Sequence, residues 1–283
     1  MSAAVEPEAL PASHLRFRRP FRPIVAIKQL FHARELIRTL AERELRVRYK
    51  QAVLGLAWAF ITPLALTLVF SVFIRRVATI DTGGAPYALF AYLGLLPWTF
   101  FSTSVSVGGQ SLVQNIPLLN RVYCPREVFP LASVLVAGFD MMVALVPLVL
   151  LLVINGFLPR ATSYWVPVLL LIQMVFSLAV ALTVSAVVVY LRDLRHALPI
   201  ILQLGLFATP VAYGLDAVPA SLQQLYVTLN PLGAVIDGYR RTVLFGLSPD
   251  WGLVLPAAAS ALVMLGASYY VFKRMETGFA DVA

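Results

Sequence analysis

The chain has 283 residues, of which 60% are hydrophobic and 13% charged, and a formal net charge of +8. Soluble domains run at roughly 45–50% apolar and about 25% charged, and the mean hydropathy here is +0.83. This balance excludes an ordinary soluble enzyme, a disordered chain and a collagen-like fibre; it is that of an all-α integral membrane protein.

Residues 1–22 are expected to form a flexible cytoplasmic tail. Glu6, Glu8 and two early prolines, with no long apolar run before Lys50, argue against a signal peptide. Residues 23–50 contain no glycine, and beyond Pro23 no proline, and are rich in Leu, Ala, Glu and Arg. At about 100° per residue, Ile24, Ile27, Leu30, Phe31, Ile37, Ala41 and Leu45 share one side, and Lys28, His32, Glu42, Arg43, Arg46 and Lys50 lie towards the other. Arg34 and Arg38 intrude on the apolar face, from which their long stems can reach outward. The pattern predicts an amphipathic helix on the inner membrane surface; a helix packed on a soluble partner is the alternative.

Residues 51–272 are predicted to hold six transmembrane helices, near 51–74, 87–107, 131–154, 165–189, 198–213 and 251–272. The first run is charge-free for 24 residues, enough to cross a core about 30 Å thick. Six crossings place both termini on one side. With that side cytoplasmic, Lys and Arg divide 17 inside to 5 outside, 11 of them within residues 1–50. That favours an N-terminal flank inside the cell over a nucleic-acid surface. Residues 273–283 are expected to be a cytoplasmic C-terminal tail. Asp140 is the only carboxylate deep in a predicted span, and its role stays open between a helix-packing hydrogen bond and a functional charge.

Residues 214–250 are too apolar for an ordinary outer loop. Pro219 opens a short helix to Leu229. Asn230 suits an N-cap and Pro231 a first helical residue, so a second helix over 231–245 follows, stopped by Gly246. Asp237 lies four residues before Arg241, spaced to pair with it. Neither helix is long enough to cross, so together they predict a re-entrant helical hairpin before the last span.

No G-x-x-x-x-G-K-[ST] sequence occurs, so the chain does not bind ATP in the P-loop manner. The lone Cys124 excludes an internal disulfide and a cysteine-rich metal site. No directly bound cofactor is expected, and the chain is not expected to be an enzyme. A membrane glycosyltransferase would need clustered loop carboxylates, whereas Asp81, Asp216, Asp237 and Asp250 are scattered.

Four stretches resemble one family. They are RELRVRYKQAVLGLAWAFITPLALTLVFSVF at 43–73, LLNRVYCPREVFPL at 118–131, YLRDLRHALPIILQLGLFATPVAY at 190–213 and LNPLGAVIDGYR at 229–240. In this order they are similar to the ABC-2 type permeases that export polysaccharides, including O-antigen, teichoic-acid and actinobacterial galactan exporters. The resemblance covers about residues 25–275. It implies a homodimer in a bacterial cytoplasmic membrane, paired with two copies of a P-loop ATPase that carries the ATP and Mg2+. It also implies a lipid-diphosphate-linked glycan as cargo, surrounding membrane lipids, and no nucleic acid. The alternative cargo is a small hydrophobic molecule such as a drug or haem.

The resemblance makes residues 114–128 a coupling loop, with Asn120, Arg121, Arg126 and Glu127 available for docking. Arg192 and Asp193 are read as a coupling pair at the same end. The hairpin over 214–250 becomes a periplasmic gate, with Asn230, Pro231, Asp237, Tyr239, Arg240 and Arg241 as its marked residues. Arg43, Arg46, Arg48, Tyr49 and Lys50 sit where cations would meet phosphate; positive-inside topology with headgroup contact is the other reading. Trp58, Phe60, Tyr92, Trp98, Phe100 and Phe101 are candidates for a path on which sugar rings slide over aromatic faces.

Overall fold

The computed structural model describes residues 30, 32–50, 55–77, 80–119, 124–157, 160–276 and 279. The tail expected over 1–22 and the coupling candidates Asn120 and Arg121 lie outside them. The regular secondary structure of the described residues is helical, as an apolar solvent requires of backbone that must satisfy its own polar groups.

Helix α1 spans Arg34–Tyr49, with Glu35 in its first turn and Arg46 and Arg48 in its last, charges that match the helix dipole. Its Ile37 and Leu40 are buried with Leu112, Val128, Phe129 and Ala132. Next come α2 (Trp58–Val77), α3 (Tyr87–Gln114) and the one-turn α4 (Ile116–Leu119). Helices α5 (Val128–Ile154) and α6 (Val166–Tyr190) follow. Helix α7 covers Leu194–Ala208, and a short pair, α8 (Ala220–Leu229) and α9 (Pro231–Arg240), precedes the last long helix, α10 (Trp251–Glu276).

Among the described residues α3, α5, α6 with its leading turn, and α10 are long and apolar enough to cross a membrane, while α2 and α7 are shorter apolar helices. Of the four, α3 is the most enclosed, with 78% of its apolar stretch buried, and α10 the most open, with 17%; apolar side chains can face outward where the solvent is lipid. Helix α3 is the axis of the fold: α2, α5, α6, α7 and α9 all pack on it.

The expected fifth span over 198–213 ends early. Helix α7 stops at Ala208 because Thr209 is extended (ψ 144°) ahead of Pro210; proline disfavours helical backbone in the residue before it and brings no N–H. The last span runs beyond its expected end at 272, to Glu276. Phe279 is buried at 4% exposure, against Phe272 and Tyr190, so part of the expected C-terminal tail is packed.

The break at Asn230–Pro231 falls where the sequence puts it, but Asn230 caps differently. Its side chain makes no cap bond; its Nδ2 donates to Thr209 Oγ1 at 2.9 Å. After Arg240 the chain makes one wide π turn, Arg241–Phe245, and ends at Gly246 with φ +69°. A side chain at Gly246 would be strained by that angle and would strike Arg160.

Candidate functional site

Three groups of polar side chains are built into the apolar bundle. The first joins α1 to α5. Arg48 Nη1 and Tyr49 Oη both donate to the carboxylate of Asp140. Arg48 Nη2 donates to Glu44 Oε1 at 3.1 Å, and Ser133 Oγ to Glu44 Oε2 at 3.0 Å. Burial raises the Glu44 carboxyl above its ordinary range, against the opposing pull of Ser133 and Arg48. Burial and the bond to Asp140 push the Tyr49 hydroxyl up to about 12. Arg48 and Tyr49, both half-buried, are thus engaged by partners within the protein. Asp140, left open by the sequence, is the acceptor that pins the end of α1 to the middle of α5. Arg43, Arg46 and Lys50 remain exposed, with Arg43 Nη1 reaching Asn115 Oδ1 at 3.4 Å.

The second group ties the start of α5 to the end of α10. Glu127, 3% exposed, accepts from Lys273 Nζ at 2.8 Å and Tyr269 Oη at 3.1 Å. Arg126 Nη1 donates to the Glu276 carbonyl at 2.7 Å, and its guanidinium lies 5.4 Å from the Phe279 ring centre. In this arrangement the buried Glu127 and the half-buried Arg126 form an internal clamp between α5 and α10. Among the described residues between α3 and α5, Pro117 of α4 is exposed and Ile116, Leu118 and Leu119 are half-buried, the last two against the cluster around Phe129. The expected Arg192–Asp193 pair is absent among the described residues. Both side chains are exposed, and the Asp193 carbonyl accepts the first N–H groups of α7, from His196 at 3.0 Å and Ala197 at 3.2 Å. Neighbours in sequence point about 100° apart at a helix start and do not face each other.

The third group centres on Arg240 at the other end of α3. Its side chain is 2% exposed and holds four backbone carbonyls. Nε donates to Phe90 O at 3.2 Å, Nη1 to Pro210 O at 2.9 Å and to Tyr213 O at 2.8 Å, and Nη2 to Val211 O at 2.6 Å. The Phe90 ring lies under the guanidinium at 3.6 Å. The turn after α7 is therefore the receptor for this cation: Pro210 frees the carbonyls and Arg240 satisfies them. Gly94 permits the approach, since a Cβ there would overlap the Val211 carbonyl and the Arg240 Nη2. One residue earlier, Tyr239 Oη donates to Gln173 Oε1 at 3.1 Å, and Gln173 Nε2 to Pro97 O at 3.3 Å. Pro231 is buried at the start of α9. The expected Asp237–Arg241 ion pair does not form among the described residues. The π turn begins at Arg241, and its Nε donates instead to Ser248 O at 3.2 Å.

The aromatic candidates separate. Trp58 is 53% exposed and Phe60 is half-buried. Tyr92, Trp98, Phe100 and Phe101 are in the core at 8% exposure or less. Tyr92 Oη donates to Ala144 O at 2.8 Å, and Phe101 stacks on Phe176 at 5.2 Å. Within one subunit these four pack helices together, and Phe100 also borders a cavity described below. Arg240 shows how little sequence can say of burial: nothing distinguishes it from its exposed-side neighbour Arg241 except the proline-rich turn it serves.

The chain is an all-helical bundle of membrane-spanning composition with a short helix pair held before its last long helix, and its class follows from its relatives. The chain belongs to the ABC-2 type transporter family, whose model matches residues 35–244. It is similar to the O-antigen export system permease protein RfbA of Myxococcus xanthus, 33% identical over 257 residues covering 90% of this chain and 98% of that protein. A permease of the same name from Klebsiella pneumoniae is 25% identical over 250 residues, covering 88% of this chain and 95% of the relative.

Proposed function

We propose that the chain is the membrane-spanning subunit of an ATP-driven exporter that carries a lipid-linked polysaccharide across a bacterial cytoplasmic membrane. The observation that carries this reading is the match along nearly the full length of a permease named for O-antigen export. In this reading α2 and α7 cross together with the four long helices, making six spans with both termini cytoplasmic. Helix α1 lies on the inner surface, supported by its exposed Arg43, Arg46 and Lys50, which also suit a lipid diphosphate.

The α8–α9 pair is read as a re-entrant gate on the outer side. At 1.5 Å per residue each helix is about 15 Å long, half of what a crossing needs. The burial of α9 among α3, α6 and α10 and the Arg240 latch support the enclosure that a dipping element requires, while α8 buries Val227 alone among its residues. Helix α4, with Asn120 and Arg121 beyond it, is the docking segment for a separate ATPase. Two copies of that ATPase, holding ATP and Mg2+, would serve a dimer of this chain. The clamp at Glu127 and Lys273 then passes motion of the docking segment to α10 as well as α5. Trp58 and Phe60 remain candidates for the glycan path.

Depletion of the protein in cells whose lipid-linked glycans are labelled tests the reading. Glycan is expected to accumulate inside and to disappear from the surface; normal surface delivery with no internal accumulation contradicts it. Docking is tested separately. Ile116→Glu is expected to reduce co-purification of the ATPase without changing membrane insertion, and unchanged capture removes α4 from that role.

A further inference from the structure

A cavity of 310 Å3 lies between α1, α2, α3 and α5, at the lower end of the roughly 300–1,000 Å3 of small-molecule pockets. Tyr49, Asp140, Trp58, Thr99, Phe100 and Thr103 are among its lining. Its charge argues against phosphate. The Arg48 guanidinium at one wall is already held by two carboxylates, Asp140 and Glu44. With both ionised the group carries one negative charge in excess, and a diphosphate placed there meets repulsion that the screened surface does not impose.

The remaining capacity is that of a polyol site. Each Asp140 oxygen accepts one hydrogen bond from protein and has a second lone pair to offer. The Thr99 and Thr103 hydroxyls border the same space on adjacent turns of α3 and make no hydrogen bond among the described residues. The aromatic walls are Phe100, and Trp58 with 53% of its surface open. A flat apolar face beside a carboxylate and free hydroxyls suits a ring with C–H groups on its faces and hydroxyls at its edge. The exposed cations Arg46 and Lys50 stand within one turn of Tyr49 on the same stretch.

We propose that this cavity binds one neutral sugar ring, the sugar attached directly to the lipid diphosphate, while the diphosphate is met outside by Arg46 and Lys50. The proposal rests on the export reading and assigns the part of the cargo that this site takes. It divides recognition between a sugar pocket without net positive charge and a cationic surface beside it.

The test uses the permease–ATPase complex in lipid nanodiscs and two probes: a polyprenyl diphosphate carrying a single neutral hexose, and the same polyprenyl diphosphate without it. The hexose-bearing probe is expected to bind about tenfold more tightly, the worth of one stacking contact and a hydrogen bond. Trp58→Ala and Thr103→Val are expected to shrink that ratio, with Trp58→Phe retaining most of it, while affinity for the bare diphosphate stays as in the native complex. Equal affinity of the native complex for the two probes overturns the sugar site, whatever the variants do. So does a loss on Trp58→Ala that is the same for both probes. Either of these outcomes leaves the export reading standing, since depletion would still trap glycan inside; failure of both probes to bind, with no trapped glycan on depletion, overturns both.

Discussion

Two arginines beside α3 are held in opposite ways. Next to its middle turns Arg48 is paired with Glu44 and Asp140, and its side chain keeps 26% of its exposure. Near its start Arg240 is sealed in at 2% exposure, and its hydrogen bonds run to four carbonyls. A carboxylate partner neutralises a cation but must itself be desolvated, so such pairs sit where water still reaches. Carbonyls bring no net charge to desolvate, and the turn after α7 presents them ready-made because Pro210 ended the helix. The ion-paired site can rearrange by exchanging partners. The carbonyl-held site is fixed unless the whole turn moves, which is the behaviour expected of a latch.

This contrast orders the variants. Arg240→Ala should be the most damaging single change, leaving Pro210, Val211 and Tyr213 carbonyls buried without a donor. A loss of about 3–5 kcal/mol is expected, read as a large drop in the unfolding midpoint of the purified subunit in detergent. Arg240→Lys should recover only part of it, since one ammonium cannot span the fork's contacts. An unchanged midpoint for either would break the latch account.

Glu127→Gln comes next, with a loss of about 1–3 kcal/mol expected, because it weakens a nearly buried acceptor of Lys273 and Tyr269. The same variant should loosen the end of α10, so faster amide exchange over residues 268–276 is the sharper readout. Gly94→Ala is expected to cost about 1–3 kcal/mol by overpacking against Val211 and Arg240. It should be largely masked when combined with Arg240→Ala, whereas simple additivity would deny that they share one contact. Arg38→Ala should be the mildest. Its pair with Glu42 spans one helix turn in the open, with side chains 76% and 50% exposed, and its loss is expected to leave the unfolding midpoint where it is in the native subunit.

The helical class, the long apolar runs and the break between the two short helices were legible because each has a local chemical signal. Charge-free length marks a crossing. Asn230–Pro231 marks a junction, and Gly246 marks a stop that the left-handed backbone then required. What was not legible is direction. On an apolar helix in lipid, Tyr92, Phe100 and Phe101 look alike whether they face the core or the bilayer, because both are apolar. The polar pairings were equally hidden. Arg48 and Asp140 are 92 residues apart, and Arg240 and Phe90 are 150 apart. Asp140 could be singled out as the one deep carboxylate, but the partner that gave it a role lay on a different helix. For the same reason the long-range intrachain partners of Arg48, Tyr49, Arg126 and Glu127, each 91 residues or more away, could not be read from the sequence.

The central claim is that this chain moves a lipid-linked glycan only when a separate ATPase drives it. The most direct measurement reconstitutes the subunit with its ATPase in sealed vesicles carrying a fluorescent lipid-linked oligosaccharide, and follows its movement between leaflets as accessibility to a membrane-impermeant lectin. Accessibility should change on adding ATP with Mg2+, and should not change when the ATPase is omitted or a non-hydrolysable nucleotide is supplied. Equal movement without the ATPase, or none with the complete system, would contradict the account.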